Sequence, residues 1–339
     1  MGRVEVTIAI PIYNVATFIE KSLRSCLVQS VFNLEILILN DCSTDNSIEV
    51  IKHVASDYQV LLSIYNAPQN CGVGAMRNKA VELAKGDYLY FLDSDDLMTE
   101  DCLETLLGEA RLYDADLVIA SHVDVCGENE TIKKEEQNYF EQPDAFANYA
   151  FTKRYGYAEG VWNKLIRTDL LRREQLVFPD YRVGEDVPFI FQLITKVQRV
   201  VLLDKVTYRY IVRPGSLSQN NPRSMIPKKE TDTHVASKFL LKEILAQNTE
   251  KAYYMPMLCI VMDYCLDTVR VMIEKRNVLE ERVAPSVFKQ IMHYPATLSQ
   301  VLGYGGRRNV FNYLLCHTPF PLVSSYYNLK KYVKDLKRK

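Results

Sequence analysis

The run Tyr88-Leu89-Tyr90-Phe91-Leu92 leads without a break into Asp93-Ser94-Asp95-Asp96. Five apolar residues are too few for a buried helix, and their aromatic content suits a central strand covered on both faces. Such a strand delivers Asp93, Asp95 and Asp96 to the carboxyl edge of a sheet, where open α/β sheets bind ligands. Magnesium and manganese favour hard oxygen ligands and usually take one or two carboxylates completed by substrate phosphates. The same residues have a plainer use, since Ser and Asp start helices well and Ser94-Asp95-Asp96 could simply cap the one that follows. Taken alone, the motif leaves both readings open.

The chain before it narrows the choice. Residues 4–10, 34–39 and 60–65 are apolar, β-branched runs that predict buried strands, the first ending at Pro11 and the second at Asn40-Asp41. Between them, Phe18, Ile19, Leu23, Cys26 and Leu27 repeat at helical spacing, Ser43, Thr44 or Asp45 would cap a helix to about residue 57, and residues 74–84 read as a third helix. Three strand–helix alternations before the 88–92 strand predict an α/β fold with a doubly wound, mostly parallel sheet and helices on both faces. Asp41 and Asp93/Asp95 then sit at neighbouring strand ends and converge on one crevice, which favours a metal site over a cap. Familiar nucleotide motifs are missing: Gly72-Val73-Gly74-Ala75-Met76-Arg77 has Arg where a dinucleotide fingerprint needs its third glycine, and no P-loop pattern occurs. Arg77, beside the Asn70-Cys71-Gly72 loop, could donate to a base carbonyl or phosphate, or pair on the surface with Glu82 or Asp87.

Together, Pro11-Ile12-Tyr13-Asn14, Glu35-x5-Asp41-x-Ser43-x-Asp45, Asn70-x-Gly72-x4-Arg77-Asn78 and Phe91-Leu92-Asp93-Ser94-Asp95-Asp96 resemble the family 2 glycosyltransferases of the GT-A fold. The resemblance implies an inverting transferase that uses a nucleotide-diphospho-sugar, a UDP-sugar being favoured, and a divalent cation, Mn2+ or Mg2+. It implies that Pro11 and Tyr13 flank the base and that Asp41 bonds a base N–H. Asn70 and Gly72 belong to the nucleotide loop, Arg77 contacts base or phosphate, Asp93 holds the ribose and stands near the cation, and Asp95 holds the cation itself. Asn40-Asp41-Cys42 departs from the family's frequent Asp-Asp-Gly.

Further along, Gly184-Glu185-Asp186-Val187-Pro188 reads as a helix start, with Pro188 in the first turn. Glu185 and Asp186 could serve only the helix dipole. The resemblance, which includes a Glu-Asp pair here, implies that Asp186 is the general base, with Glu185 second in line. Trp162, the one tryptophan, offers a flat face to an acceptor sugar, or belongs to the core. Arg213, before Pro214-Gly215-Ser216, suits a lid that closes on a diphosphate, or is a surface turn. His122 follows a short strand at 117–120 and reads more readily as structural, while the charged stretch 126–139 reads as a solvated hairpin or loop.

Charge divides the chain. Residues 1–222 hold 22 Lys+Arg against 32 Asp+Glu, net -10, whereas residues 223–339 hold 19 against 10, net +9. We therefore expect a nucleotide-sugar-binding catalytic domain over 1–222 and a mostly helical domain over 223–339. At the C-terminus Leu329, Val333 and Leu336 share a face flanked by Lys330, Lys331, Lys334, Lys337, Arg338 and Lys339. Such a basic amphipathic helix suits an anionic membrane surface, and a solvated terminal helix is the plainer alternative. Nucleic acid is excluded as a partner by the acidic front half. No run reaches membrane-spanning length and residues 1–5 are no signal peptide, so a cytoplasmic protein, peripheral on the inner membrane face, is expected. The eight scattered cysteines suit reduced thiols rather than zinc or disulfides. The expected reaction moves a hexose-type sugar to a hydroxyl of a saccharide acceptor, lipid-linked by preference, in cell-surface polysaccharide synthesis. A metal-dependent nucleotidyltransferase and a non-catalytic sugar-binding module remain the alternatives.

Overall fold

The structure, a computed structural model, describes residues 3–31, 33–56, 58–153, 160–181, 184–213 and 226–336. The chain forms two compact units, Met1–Ala147 with Tyr157–Gln219 and Asn148–Gly156 with Asn220–Lys339. The expected boundary at 222–223 lies outside the described residues, as does the 214–218 stretch of the expected lid.

In the first unit β1 (Val6–Ile12), α1 (Ile19–Leu27), β2 (Leu34–Asn40), α2 (Ser47–Ala55), β3 (Leu61–Asn66), α3 (Val73–Leu83) and β4 (Tyr88–Phe91) alternate as the apolar runs predict. The strands lie side by side as β3-β2-β1-β4, all parallel. Two crossovers step away from β1 on one side and the third, through α3, returns on the other. The order therefore reverses at β1, which puts a ligand crevice beyond the carboxyl ends of β1, β2 and β4. Pro11 lies inside β1 instead of ending it. Ala9 accepts from Leu92 on the β4 side and Ile12 from Asp41 on the β2 side, so the alternating Pro11 position faces β4, which has already left the ladder after Phe91. Its missing N–H costs nothing there.

The rest of the sheet is mixed. β5 (Leu97–Met98), α4 (Cys102–Leu112), β6 (Leu117–Cys126), β7 (Asn129–Lys133), β8 (Asn138–Phe140), α5 (Ala145–Thr152), β9 (Lys164–Arg167), α6 (Thr168–Arg173), α7 (Asp186–Lys196) and β10 (Val200–Ile211) follow. The strand order becomes β3-β2-β1-β4-β9-β6-β10-β5, with β7 on β6 and β8 on β10. β9 is antiparallel to both neighbours, whereas β6 and β10 are parallel, and parallel ladders carry most of the pairing. β6 runs six residues past the expected 117–120, because after Ala120 it alternates buried and half-exposed side chains instead of staying apolar. The charged 126–139 stretch forms β7 and β8.

The parallel block is pinned by a buried acid. Glu35 of β2 accepts hydroxyl hydrogen bonds from Thr7 of β1 and Ser63 of β3, both at 2.8 Å, and bonds the Lys85 amide at 3.0 Å and ammonium at 2.8 Å. Burial alone would raise its carboxyl, but the Lys85, Thr7 and Ser63 bonds outweigh it and hold the group below the ordinary glutamate range.

The second unit is helical, with α8 (Lys228–Ala246), α9 (Tyr254–Glu274), α10 (Pro285–Ile291), α11 (Leu298–Tyr304), α12 (Arg307–Cys316) and α13 (Phe320–Leu336). Met257, Val261, Cys265 and Val269 bury one face of α9 completely, and α8, α10, α12 and α13 pack around it. α11 carries little apolar periodicity and is set instead by a capping box between Thr297 and Gln300. Among the described residues no helix is long and apolar enough to cross a membrane.

Glu35→Ala is expected to lower unfolding stability by about 2 kcal/mol, since it leaves the buried Thr7 hydroxyl without its acceptor; half-buried Ser63 and the ammonium of half-exposed Lys85 add little. The depressed carboxyl gives a signed pH dependence: its contribution is complete above the ordinary glutamate pKa and fades as pH falls through the lowered folded value. Urea midpoints of wild type and Glu35→Ala should therefore converge in acid, and a constant gap would show that the carboxylate is not the source.

Candidate catalytic site

Strand ends supply the first half of the site. At the end of β2, Asp41 accepts the Cys71 amide through Oδ1 at 2.7 Å and the Gly72 amide through Oδ2 at 2.8 Å, while Asn70 Nδ2 reaches the Asp41 carbonyl at 3.3 Å. Asn70 and Gly72 thus brace Asp41, and neither lines the cavity described below. Asp95 turns outward and its Oδ2 is held by Arg213, with Nε at 2.7 Å and Nη2 at 2.6 Å. The Arg213 guanidinium in turn lies 3.9 Å from the ring centre of Phe18.

Asp96 does not join the other two acids at the edge. It points inward, taking the Tyr208 hydroxyl on Oδ2 at 2.7 Å and the Ile211 amide on Oδ1 at 2.8 Å, and burial pushes its carboxyl up to about 8. The apolar run cannot announce this, because the partners belong to β10, more than a hundred residues away.

The second half arrives through α3. A Cβ on Gly74 would sit 2.9 Å from the Pro179 carbonyl and 3.5 Å from the Glu185 side chain, so glycine lets both residues lie directly on the helix. Asn78 fastens the neighbouring Phe178, donating to its carbonyl and accepting its amide, both at 2.8 Å. Glu185 and Asp186, at the start of α7, are thereby brought to Arg77. Arg77 Nη1 bonds Glu185 Oε1 at 2.7 Å and Asp186 Oδ1 at 2.5 Å, and Nη2 bonds Asp93 Oδ1 at 3.0 Å. The alternative surface pairing of Arg77 with Glu82 or Asp87 gives way here to this buried cluster. One cation faces three acids. Burial, then the neighbouring Asp186, raises the Glu185 carboxyl to about 7, and burial raises Asp93 against the pull of Arg77.

A third wall is aromatic. Trp162 stacks on Tyr208 (4.7 Å, 16°) and Tyr210 (5.6 Å, 13°) and meets the edge of His122 at 4.7 Å. Burial pushes His122 down to about 4, so its ring is neutral at physiological pH despite Asp124 at 3.5 Å.

Pro11, Tyr13, Asp41, Arg77, Asp93, Asp95, Trp162, Glu185, Asp186 and Arg213 all border one cavity of about 790 Å³. Asn14, Phe18, His122, Asp124, Lys133 and Tyr210 border it too, and sequence reasoning did not assign them there. The alternation along β6 was the available signal for His122 and Asp124. Among the described residues no three His, Cys, Asp or Glu side chains form a metal-binding group. Asp93 and Asp95 nonetheless fit a magnesium or manganese donor set that substrate phosphates complete, and the counter-charge of Arg213 already rests on Asp95.

Residues 7–174 match glycosyl transferase family 2. The chain belongs to this family. It is 31% identical over 225 residues to the glycosyltransferase GlyA of Streptococcus pneumoniae, a match covering 63% of this chain and 32% of that protein, so the chain spans about a third of that relative. An uncharacterized glycosyltransferase, EpsJ of Bacillus subtilis, is 29% identical over 242 residues (70% of this chain, 68% of that one). A processive diacylglycerol beta-glycosyltransferase of Mycoplasma genitalium is 28% identical over 223 residues (63% and 65%). Among solved structures, TarS 1-349 of S. aureus in complex with UDP-GlcNAc superposes with a TM-score of 0.60 at 18% identity, covering 96% of this chain and 92% of that one. Mannosyltransferase PcManGT of Pyrobaculum calidifontis, in complex with GDP-Man and Mn2+, gives 0.52 at 16% identity (100% and 89%). This family 2 chain therefore has the GT-A fold, with a mixed, mostly parallel sheet and a helical C-terminal region.

Gly160, at φ +68, has the Trp162 indole folded against it, and a Cβ there would collide with Nε1. Gly160→Ala is expected to displace the indole, shift the emission of the single tryptophan and cost about 1–2 kcal/mol from the left-handed backbone alone. Unchanged emission would mean that the ring is held otherwise.

Proposed function

We propose that this chain transfers a hexose-type sugar from a nucleotide-diphospho-sugar, UDP-linked by preference, to a hydroxyl of a saccharide acceptor, with inversion. The supporting observation is the meeting of Asp95, from the end of β4, with Asp186, from the start of α7, on one cavity. Family membership supports the transfer chemistry, and the UDP-GlcNAc bound by TarS supports the donor reading. A lipid-linked acceptor and a place in cell-surface polysaccharide synthesis are supported by the diacylglycerol specificity in the name of the Mycoplasma relative and by the basic face of α13. On that helix Leu329, Val333 and Leu336 are exposed beside Lys330, Lys331 and Lys334, a pattern suited to an anionic membrane surface; residues 337–339 lie outside the described residues.

Pro11 and Tyr13 flank the base, and Asp41, with two lone-pair sites still open, accepts a base N–H. Asp95, with Asp93 beside it, would hold Mn2+ or Mg2+, and the bound cation would offset charge on the departing diphosphate. Arg213 leaves Asp95 for the diphosphate when donor enters. Trp162 carries the acceptor sugar. The Asp186 carboxylate takes the proton of the acceptor hydroxyl while its oxygen bonds to the anomeric carbon. The carbon–oxygen bond to the nucleoside diphosphate breaks on the opposite face, which inverts the centre. The oxocarbenium-like transition state needs little else from the protein beyond positioning.

Asp186→Asn is expected to leave nucleotide affinity within about threefold while turnover falls at least about 100-fold. Incubation with a panel of sugar nucleotides should release nucleoside diphosphate and stop on chelation; released pyrophosphate would instead point to nucleotidyl transfer. Lys330, Lys331 and Lys334 changed together to Glu should reduce sedimentation with vesicles containing anionic lipid, and unchanged sedimentation would remove α13 from membrane binding.

A further inference from the structure

The cluster around Arg77 does more than fill a cavity floor. Its guanidinium joins an acid at the end of β4 to two acids at the start of α7, 16 and 108–109 residues away along the chain. The side chain is 4% exposed, whereas that of Asp186 is 24% exposed and that of Asp93 30%. The acids therefore reach the cavity and the arginine offers almost no surface to a ligand. Phe178 backs the guanidinium at 5.6 Å, and Phe178 is itself fixed by stacking on Phe189 at 3.7 Å and by the edge of Phe91 at 5.6 Å. The fork has nowhere to retreat. Its Nε, buried and without a hydrogen-bond partner, shows that the orientation serves the carboxylates at the expense of one donor.

We propose that Arg77 is a positioning residue: it holds Asp186 through one carboxylate oxygen, leaves the other for the acceptor hydroxyl, fixes the distance from Asp186 to Asp93, and takes no part in recognising the nucleotide. This rests on the reading of Asp186 as the base. A planar fork with several donors can span three carboxylates, whereas a lysine ammonium is a point charge that cannot hold the same three directions. Donor site and base then form one rigid body, and a misplacement of about 1 Å is enough to cost about 100-fold in rate.

The experiment uses the full chain with Arg77→Lys and Arg77→Gln. UDP affinity, measured by calorimetry without turnover, should change by less than about threefold, while kcat falls about 100-fold and the KM values move little. In the double variant of Arg77→Lys with Asp186→Asn, kcat should fall no further than in Asp186→Asn alone, because the kcat loss of Arg77→Lys comes through the placement of the Asp186 base. UDP affinity that falls with kcat would overturn the proposal, as would losses that add. A crystal structure of the wild type with UDP tests the same point without a variant. The guanidinium should remain on Asp93, Glu185 and Asp186, beyond about 3.5 Å from base and phosphates, and a guanidinium found on the nucleotide would overturn the proposal. If Asp186→Asn alone keeps its turnover, the base assignment fails, while the UDP measurements still decide whether Arg77 serves the nucleotide.

Discussion

Three carboxylates around a single guanidinium set the terms for the rest of the catalytic unit. Asp93, Glu185 and Asp186 would repel one another in a half-buried pocket, and only a cation at their centre makes the gathering tolerable. The balance is incomplete, with one positive charge against three acids, and burial pushes the carboxyl of Glu185, the most buried of them, up to about 7. The helix that carries Arg77 is also the one that glycine at 74 and asparagine at 78 open to Phe178, Pro179 and Glu185. Charge, close backbone approach and a side-chain clamp all act at one place, and the unit's two chain-distant halves meet there.

The parallel block explains why the strand-end wall of the cavity is so compact. Strand order reverses at β1, so the ends of β1, β2 and β4 face a single opening without any long loop to bring them together. Asp41 is immobilised by backbone amides, Asp95 by Arg213, and the strands beneath them by Glu35. The aromatic wall of the cavity is built differently. Trp162 and Tyr210 line it beside the mixed half of the sheet, where β6 brings His122 and Asp124, and β10 brings Tyr208 and Tyr210, at alternate positions.

What the sequence makes legible is local. Short apolar runs mark β1, β2 and β4, the latter two ending in acids, and their alternation with helical periods is enough to put Asp41, Asp93 and Asp95 on one edge. The glutamate-aspartate pair before Pro188 is visible as a helix start, and its neighbourhood is not. That Arg77 lies among acids depends on Gly74 leaving room for the Pro179 carbonyl where a Cβ would clash, a tertiary fact with no local signature. The antiparallel entry of β9 is equally silent, since Lys164-Leu165-Ile166-Arg167 reads the same in either direction. Asp96 is the instructive case, an acid inside an acidic motif that behaves as a core residue.

That residue also limits how the motif could be redesigned. Asp95 faces outward while its neighbour Asp96 is locked to Tyr208 and the β10 backbone, so a single-residue slip of the turn would drag an ion pair into the interior and push a core acid into solvent. Inserting or deleting one position between Leu92 and Leu97 is thus closed to laboratory evolution of this enzyme, although exchanging side chains in place remains open. Changes to this rim of the cavity would need to keep the inward acid as an anchor and vary only the outward ones.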